Sequence, residues 1–81
     1  MEIIIGVVIN GVRKQIVKRE YTFQEIVTLA YGGFDEFQRS YTIVTTAKTE
    51  DGGKLKQTFS MGDIISLQED MRINVDSTNR S

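Results

Sequence analysis

One well-marked amphipathic helix separates two strand-rich halves of the sequence, and it lies within residues 21–33. Thr22 and Glu25 have the T-x-x-E spacing of a capping box, in which a hydroxyl and a carboxylate satisfy free backbone N–H groups at the start of a helix. The apolar residues that follow recur at helical spacing, and they are Phe23, Ile26, Val27, Leu29 and Ala30. Gly32 and Gly33 can adopt the left-handed conformation that ends a helix. The pattern therefore predicts a helix over residues 22–33.

The N-terminal half of the chain carries a strong hairpin signal. Residues 3–9 are typical of a strand, and Asn10-Gly11 favours a two-residue turn into a returning strand. Such a turn pairs Ile9 with Val12, but it also places the charged Lys14 beside Val7 on the same face. A longer loop would avoid that placement, so the sequence leaves the register of the hairpin open.

Three or four further strands are predicted after the helix. Their segments alternate or are rich in β-branched residues, and they cover residues 41–49, 55–59, 64–67 and 71–75. Because one helix can cover only one face of a sheet, we expect an α+β fold with a mixed four- to five-stranded sheet. The first and last strands are markedly apolar and should lie side by side in the middle. This is the β-grasp arrangement, as in ubiquitin.

The length of the chain, 81 residues, predicts one domain over residues 1–76, followed by a flexible polar tail at 77–81. The chain has no Cys and no His, so disulfides and thiolate metal sites are excluded and the commonest general base is absent. We therefore expect no enzyme activity, metal or cofactor.

The charges and the N-terminus bear on partners and location. Ten basic residues balance eleven acidic ones, which gives no indication of nucleic-acid binding. The apolar N-terminal stretch is about nine residues long, far short of the ~20 that a helix needs to span a bilayer. The expectation is a cytoplasmic protein without membrane contact.

The first strand is apolar on both of its faces, which is unusual in so small a domain. Most of this surface should lie in the core, but part of it could meet a second copy of the chain. Ile3, Ile5 and Val7 are the candidate residues for such a homo-oligomer contact.

Several stretches carry a resemblance to a known group of proteins. They are Ile9-Asn10-Gly11, the helix Thr-Phe-Gln-Glu-Ile-Val-x-Leu-Ala-Tyr-Gly from Thr22, the strand opening Tyr41-Thr-Ile-Val, Met61-Gly-Asp, and the end of the chain from Met71 to Ser81. In these stretches the chain resembles the bacterial ubiquitin-like proteins related to the multiubiquitin domain.

This resemblance implies a protein modifier in a bacterial ubiquitination-like conjugation pathway, some of which are linked to antiviral defence. It also implies E1-like and E2-like enzymes and a peptidase as partners. The reactive end would be the C-terminal carboxylate of Ser81, presented by Thr78, Asn79 and Arg80. The target of conjugation is left open.

The C-terminal residues depart from the pattern of ubiquitin, because the two Gly-Gly pairs of this chain are internal. Gly-Gly suits a narrow activating channel because it has no side chains. Either the partner accepts a different tail, or the end is processed, or the chain is not conjugated. The alternative function is a non-conjugated β-grasp scaffold or accessory subunit that acts through homo-oligomerisation or protein binding.

Overall fold

The computed structural model describes residues 1–35 and 39–79, without the side chains of Arg39 and Asn79. One helix and seven strands are found in these residues. In chain order they are β1 (Ile4–Ile9), β2 (Val12–Val17), β3 (Glu20–Thr22), α1 (Phe23–Tyr31), β4 (Arg39–Lys48), β5 (Lys54–Phe59), β6 (Ile64–Ser66) and β7 (Arg72–Asn79).

Five of the strands form one mixed sheet in the order β2-β1-β7-β4-β5. β1 and β7 lie parallel at its centre, whereas the other neighbouring strands are antiparallel. β3 and β6 form a separate two-stranded sheet. The α+β class and the central pairing of the first and last strands are thus confirmed, and the fold is β-grasp-like.

The first hairpin has the two-residue turn. Ile9 lies opposite Val12 and Val7 lies opposite Lys14. Asn10 and Gly11 have φ angles of 49° and 81°, the positive values that a tight type I′ turn requires. Lys14 is tolerated on the apolar face because its Nζ donates to the Leu29 carbonyl, 2.7 Å away, in the last turn of α1. The lysine thus supplies positive charge where the helix dipole is negative.

Helix α1 begins and ends as the sequence predicts. The Glu25 N–H donates to the Thr22 hydroxyl at 3.2 Å, and the Thr22 N–H donates to the Glu25 carboxylate at 2.9 Å, so both bonds of the capping box are present. Gly32 ends the helix with a φ of 80°, and its N–H donates to the Thr28 carbonyl at 2.7 Å.

The hydrophobic core lies between α1 and the inner face of the five-stranded sheet. Alternate residues of the central strands point into it, which follows from the period of two in a strand. Burying a side chain of this kind stabilises the fold by about 1.5–3 kcal/mol. The buried apolar residues are Ile5, Val7, Ile9, Tyr21, Phe23, Ile26, Val27, Ile43, Ile65, Leu67, Met71, Ile73 and Val75.

The predicted tail at 77–81 is wrong in its first three residues, because β7 continues through Asn79. Residues 77–79 pair with residues 39–41 of the ten-residue strand β4. Their polarity reflects a position at the end of the sheet, and it does not prevent strand pairing. Arg80 and Ser81 lie outside the described residues.

Glu25 connects the capping box to an ion pair, since its carboxylate also lies 2.8 Å from the Arg19 guanidinium. The hydrogen bond from Arg19, followed by the one from the Thr22 backbone, lowers the pKa of Glu25 from 4.5 to about 2. A carboxyl whose pKa is lowered by folding stabilises the fold above its unfolded pKa. That contribution is lost as the pH falls from about 4.5 towards 2.

We therefore expect Glu25→Gln to weaken the pH dependence of stability between pH 4.5 and 2. The measurement is the free energy of unfolding in urea at a series of pH values. Arg19→Gln, which keeps the carboxyl but removes its main partner, should move the loss of stability to higher pH. Parallel curves of the free energy of unfolding against pH for the wild type and both variants would contradict the lowered pKa assigned to Glu25.

Candidate functional site

The C-terminal end of β7 is the candidate site, because it carries the residues that the resemblance implies. Thr78 is exposed, and its backbone pairs with that of Ser40. Asn79 is the last residue of β7, and its backbone pairs with that of Arg39. The structure thus places two of the four predicted residues at one end of the sheet. Arg80 and Ser81 lie outside the described part of the chain.

β7 is held on both sides only along its first half. Its register with β1 covers Arg72 and Ile73. The Val8 N–H donates to the Met71 carbonyl at 3.0 Å, and the Asn10 N–H donates to the Ile73 carbonyl at 2.9 Å. The β1 side of the ladder then stops, because the chain turns back at Asn10-Gly11.

The side chain of Asn10 continues this pairing by one more step. Its Oδ1 accepts from the Val75 N–H at 2.8 Å, and its Nδ2 donates to the Val75 carbonyl at 3.1 Å. The Tyr31 hydroxyl, at the end of α1, donates to the same carbonyl. Three hydrogen bonds therefore fix the Val75 backbone on the side away from β4.

Beyond Val75, the described pairing of β7 is with β4. The carbonyls of Met71, Ile73 and Val75 face the β1 side, so the alternate residues face β4. By the same alternation, Asp76 exchanges hydrogen bonds with Thr42, and Thr78 does so with Ser40. Residues 76–79 thus continue the ladder with β4, whereas the described register with β1 does not reach them.

An aromatic cluster of Tyr31, Phe34 and Tyr41 lies beside this end of the sheet. The rings of Phe34 and Tyr41 are stacked with centroids 5.1 Å apart, and those of Tyr31 and Tyr41 are 6.1 Å apart. The Tyr41 hydroxyl accepts from the Asp35 N–H at 3.0 Å. The three rings line a cavity of about 660 Å³ together with Ser77 of β7.

Sequence reasoning missed Tyr31 and Tyr41 as neighbours of the C-terminal strand. The available signal was their position, since one aromatic residue ends the helix and the other opens the next strand.

The three predicted self-association residues differ in their burial. Ile5 and Val7 are 5% and 0% exposed and belong to the core, so their assignment to a contact between copies is wrong. Strand alternation turns them towards α1 and turns Ile4 to the opposite face. Ile3 and Ile4 are 60% and 57% exposed, so the surplus apolar surface of the first strand lies there.

Two features are absent from the described residues. Within residues 1–35 and 39–79, no group of three or more His, Cys, Asp or Glu side chains is arranged to hold a metal ion. In the same residues, no helix combines the length and apolarity needed to cross a membrane.

No protein-family model, curated protein or solved structure matches this chain. The implied membership of a bacterial ubiquitin-like group therefore stays a hypothesis.

We expect Asn10→Gly to lower the free energy of unfolding by about 1–3 kcal/mol, since it removes two hydrogen bonds of about 0.5–1.5 kcal/mol each. Glycine tolerates the positive φ of this position, so the turn itself is retained. Asn10→Ala removes the same bonds and also strains the turn, so it should be the less stable variant. Urea unfolding measures both, and a fully stable Asn10→Gly variant would contradict the role given to the side chain.

Proposed function

We propose that the chain is a ubiquitin-like modifier of a bacterial ubiquitination-like pathway, acting in the cytoplasm and possessing no catalytic site of its own. The observation that carries the proposal is the terminal strand of a β-grasp-like fold, in which three hydrogen bonds fix the Val75 backbone and residues 76–79 continue in a ladder with β4. Such an end can be delivered to an enzyme while the domain stays folded.

The E1-like partner has to receive the end of the chain in an extended, unpaired form. Residues 76–79 are already extended, and their ladder with β4 must be broken. Each hydrogen bond in that ladder contributes about 0.5–1.5 kcal/mol net, a cost that contacts with a partner can offset.

The proposed chemistry takes place at the C-terminal carboxylate of Ser81. That carboxylate attacks the α-phosphate of ATP in the E1-like enzyme, and pyrophosphate leaves. A nucleophile of the E1-like or E2-like partner then displaces AMP from the acyl adenylate, and the acyl group passes to the target. A peptidase would release the modifier or process its end, and the pathway would serve conjugation in antiviral defence.

The side chains of the C-terminal residues determine how wide the channel of the activating enzyme must be. Thr78, Asn79, Arg80 and Ser81 all carry side chains, whereas a Gly-Gly end carries none. The channel of the partner must therefore be wider than one that selects for glycine, and the charge of Arg80 offers it a feature to recognise.

A disulfide between β7 and β4 tests whether the C-terminal end of β7 must separate from β4 before activation. Ser40 and Thr78 form a hydrogen-bonded pair, in which Cα atoms are about 5.5 Å apart, within the range of a disulfide. The native chain has no cysteine, so Ser40→Cys with Thr78→Cys introduces one defined pair. We expect the reduced variant to form an ATP-dependent adduct with the cognate activating enzyme, and the oxidised variant to form none.

Intact mass spectrometry measures the adduct, and the reduced form of the same variant is the matched control. Deletion of Arg80 and Ser81 removes no residue of β7, so that variant should stay folded and lose the adduct. Adduct formation by the deletion variant, or equal reaction of the oxidised and reduced forms, would refute the proposal.

The exposure of Ile3 and Ile4 favours a second function, a non-conjugated scaffold or accessory subunit that assembles through its first strand. Neighbouring isoleucines that are more than half exposed form apolar surface that a second copy could bury.

Light scattering over a range of concentrations tests this second function. A homo-oligomer of the wild type should become a monomer in Ile4→Asp, while Gln24→Asp, which adds the same charge on the exposed side of α1, should leave it assembled. A wild type that is monomeric at every concentration would remove this function and leave the modifier proposal intact.

A further inference from the structure

β5 forms an edge of the five-stranded sheet, and the described residues pair with it on one side only, through β4. Five of its six residues are exposed, and Phe59 is half-buried. A row of unpaired backbone groups on such an edge can accept another strand.

The pairing of β4 with β5 identifies the backbone groups that face outward. The Thr49 N–H donates to the Gly53 carbonyl at 3.0 Å, which continues the β4–β5 ladder at its turn end. Hydrogen-bonded and non-hydrogen-bonded pairs alternate in an antiparallel ladder, so Leu55 and Gln57 direct their N–H and C=O groups to β4. The backbone groups directed to the open edge are those of Lys54, Lys56 and Thr58.

The outer face beside this edge is strongly basic. Lys54 lies opposite Lys48, and Lys56 follows two residues later on the same face. Like charges in opposite positions on a sheet are unfavourable, and neither lysine of that pair forms an ion pair within the described residues. Lys48, Lys54 and Arg72 also line a depression of about 380 Å³.

One carboxylate, that of Asp70, also lines this depression. It lies 3.4 Å from the Arg13 guanidinium, so its charge is shared with a cation outside the depression. The lining therefore keeps an excess of positive charge.

The inner face of the same edge is apolar at one position. Leu55 is 51% exposed and stands outside the hydrophobic core. Its neighbour Ala47 packs at the margin of the core. Leu55 thus offers uncovered apolar surface beside the free backbone edge.

We propose that the β5 edge binds an extended segment of a partner protein in which acidic and apolar residues alternate. The backbone of the segment would pair with Lys54, Lys56 and Thr58. Its acidic side chains would meet the lysines of the outer face, and an apolar side chain would cover Leu55. This mode of binding adds a strand to a sheet, with specificity supplied by alternate side chains.

The charge of the β5 edge favours binding of this acidic segment over binding of a second copy of the chain. Two β5 edges joined to each other would place Lys54 and Lys56 of one copy beside the same lysines of the other, which is unfavourable. Edge lysines protect natural sheets against such pairing with themselves. An acidic strand converts the same lysines into attractive contacts, and the interaction does not depend on conjugation.

The probe for the test is a capped eight-residue peptide of alternating Glu and Val. On binding, the backbone amides of Lys54, Lys56 and Thr58 should exchange with solvent more slowly, measured by hydrogen exchange in NMR. The amides of Leu55 and Gln57 are bonded to β4 and should already be protected. Charge reversal with Lys54→Glu and Lys56→Glu should weaken binding at least about tenfold, since attractive cross-strand charge pairs become repulsive.

Matched variants separate charge from backbone pairing. Lys56→Ala removes the charge and keeps the outward N–H, whereas Lys56→Pro removes that N–H as well without breaking a bond to β4. The proline variant should therefore bind more weakly than the alanine variant, and Lys18→Glu, on the opposite edge of the sheet, should bind as the wild type does.

Three results would overturn the proposal. They are the absence of binding at millimolar peptide, binding without slower exchange at Lys54, Lys56 and Thr58, and equal binding of a peptide that alternates Lys and Val.

Discussion

The parallel pairing of β1 with β7 is the contact on which the rest of the structure depends. It joins the two ends of the chain at the centre of the sheet and creates the inner face on which α1 packs. Direct strand pairing is short, covering Val8 and Ile9 on one strand and Arg72 and Ile73 on the other. Asn10 extends it, so one side chain serves both the tight turn and the central ladder.

The margins of the sheet differ from this centre in their strand pairing. Past Val75 the last strand has one described ladder, and past β5 the sheet has no described neighbour. The first arrangement suits an end that must be handed to an enzyme, and the second suits a strand that pairs with a partner. Both proposals therefore use backbone at the margins of the sheet, while the buried helix serves as scaffold.

Much of the fold could be predicted because its signals are local. The capping box of Thr22 and Glu25, the Gly32 terminus and the Asn10-Gly11 turn each act within a few residues, and all three are confirmed. The hairpin register could not be settled, because Lys14 is accepted only through the Leu29 carbonyl of a helix that lies far along the chain. The tail was misjudged for a similar reason, since polar residues 77–79 form a strand only because β4 extends alongside them. Ile5 and Val7 point inward because α1 packs on their face of the sheet. The sequence of β1 alone does not show which of its faces the helix covers.

The distance along the chain between Asn10 and Val75, 65 residues, bears on how the protein is made. Contacts of high sequence separation require a large loop to close before they contribute any stability. The first hairpin and α1 can form while the ribosome is still adding residues, but the central sheet cannot close until β7 has been synthesised. A nascent chain that lacks β7 would present the apolar inner face of β1 without its neighbour, so the fold is completed only after β7 has been added.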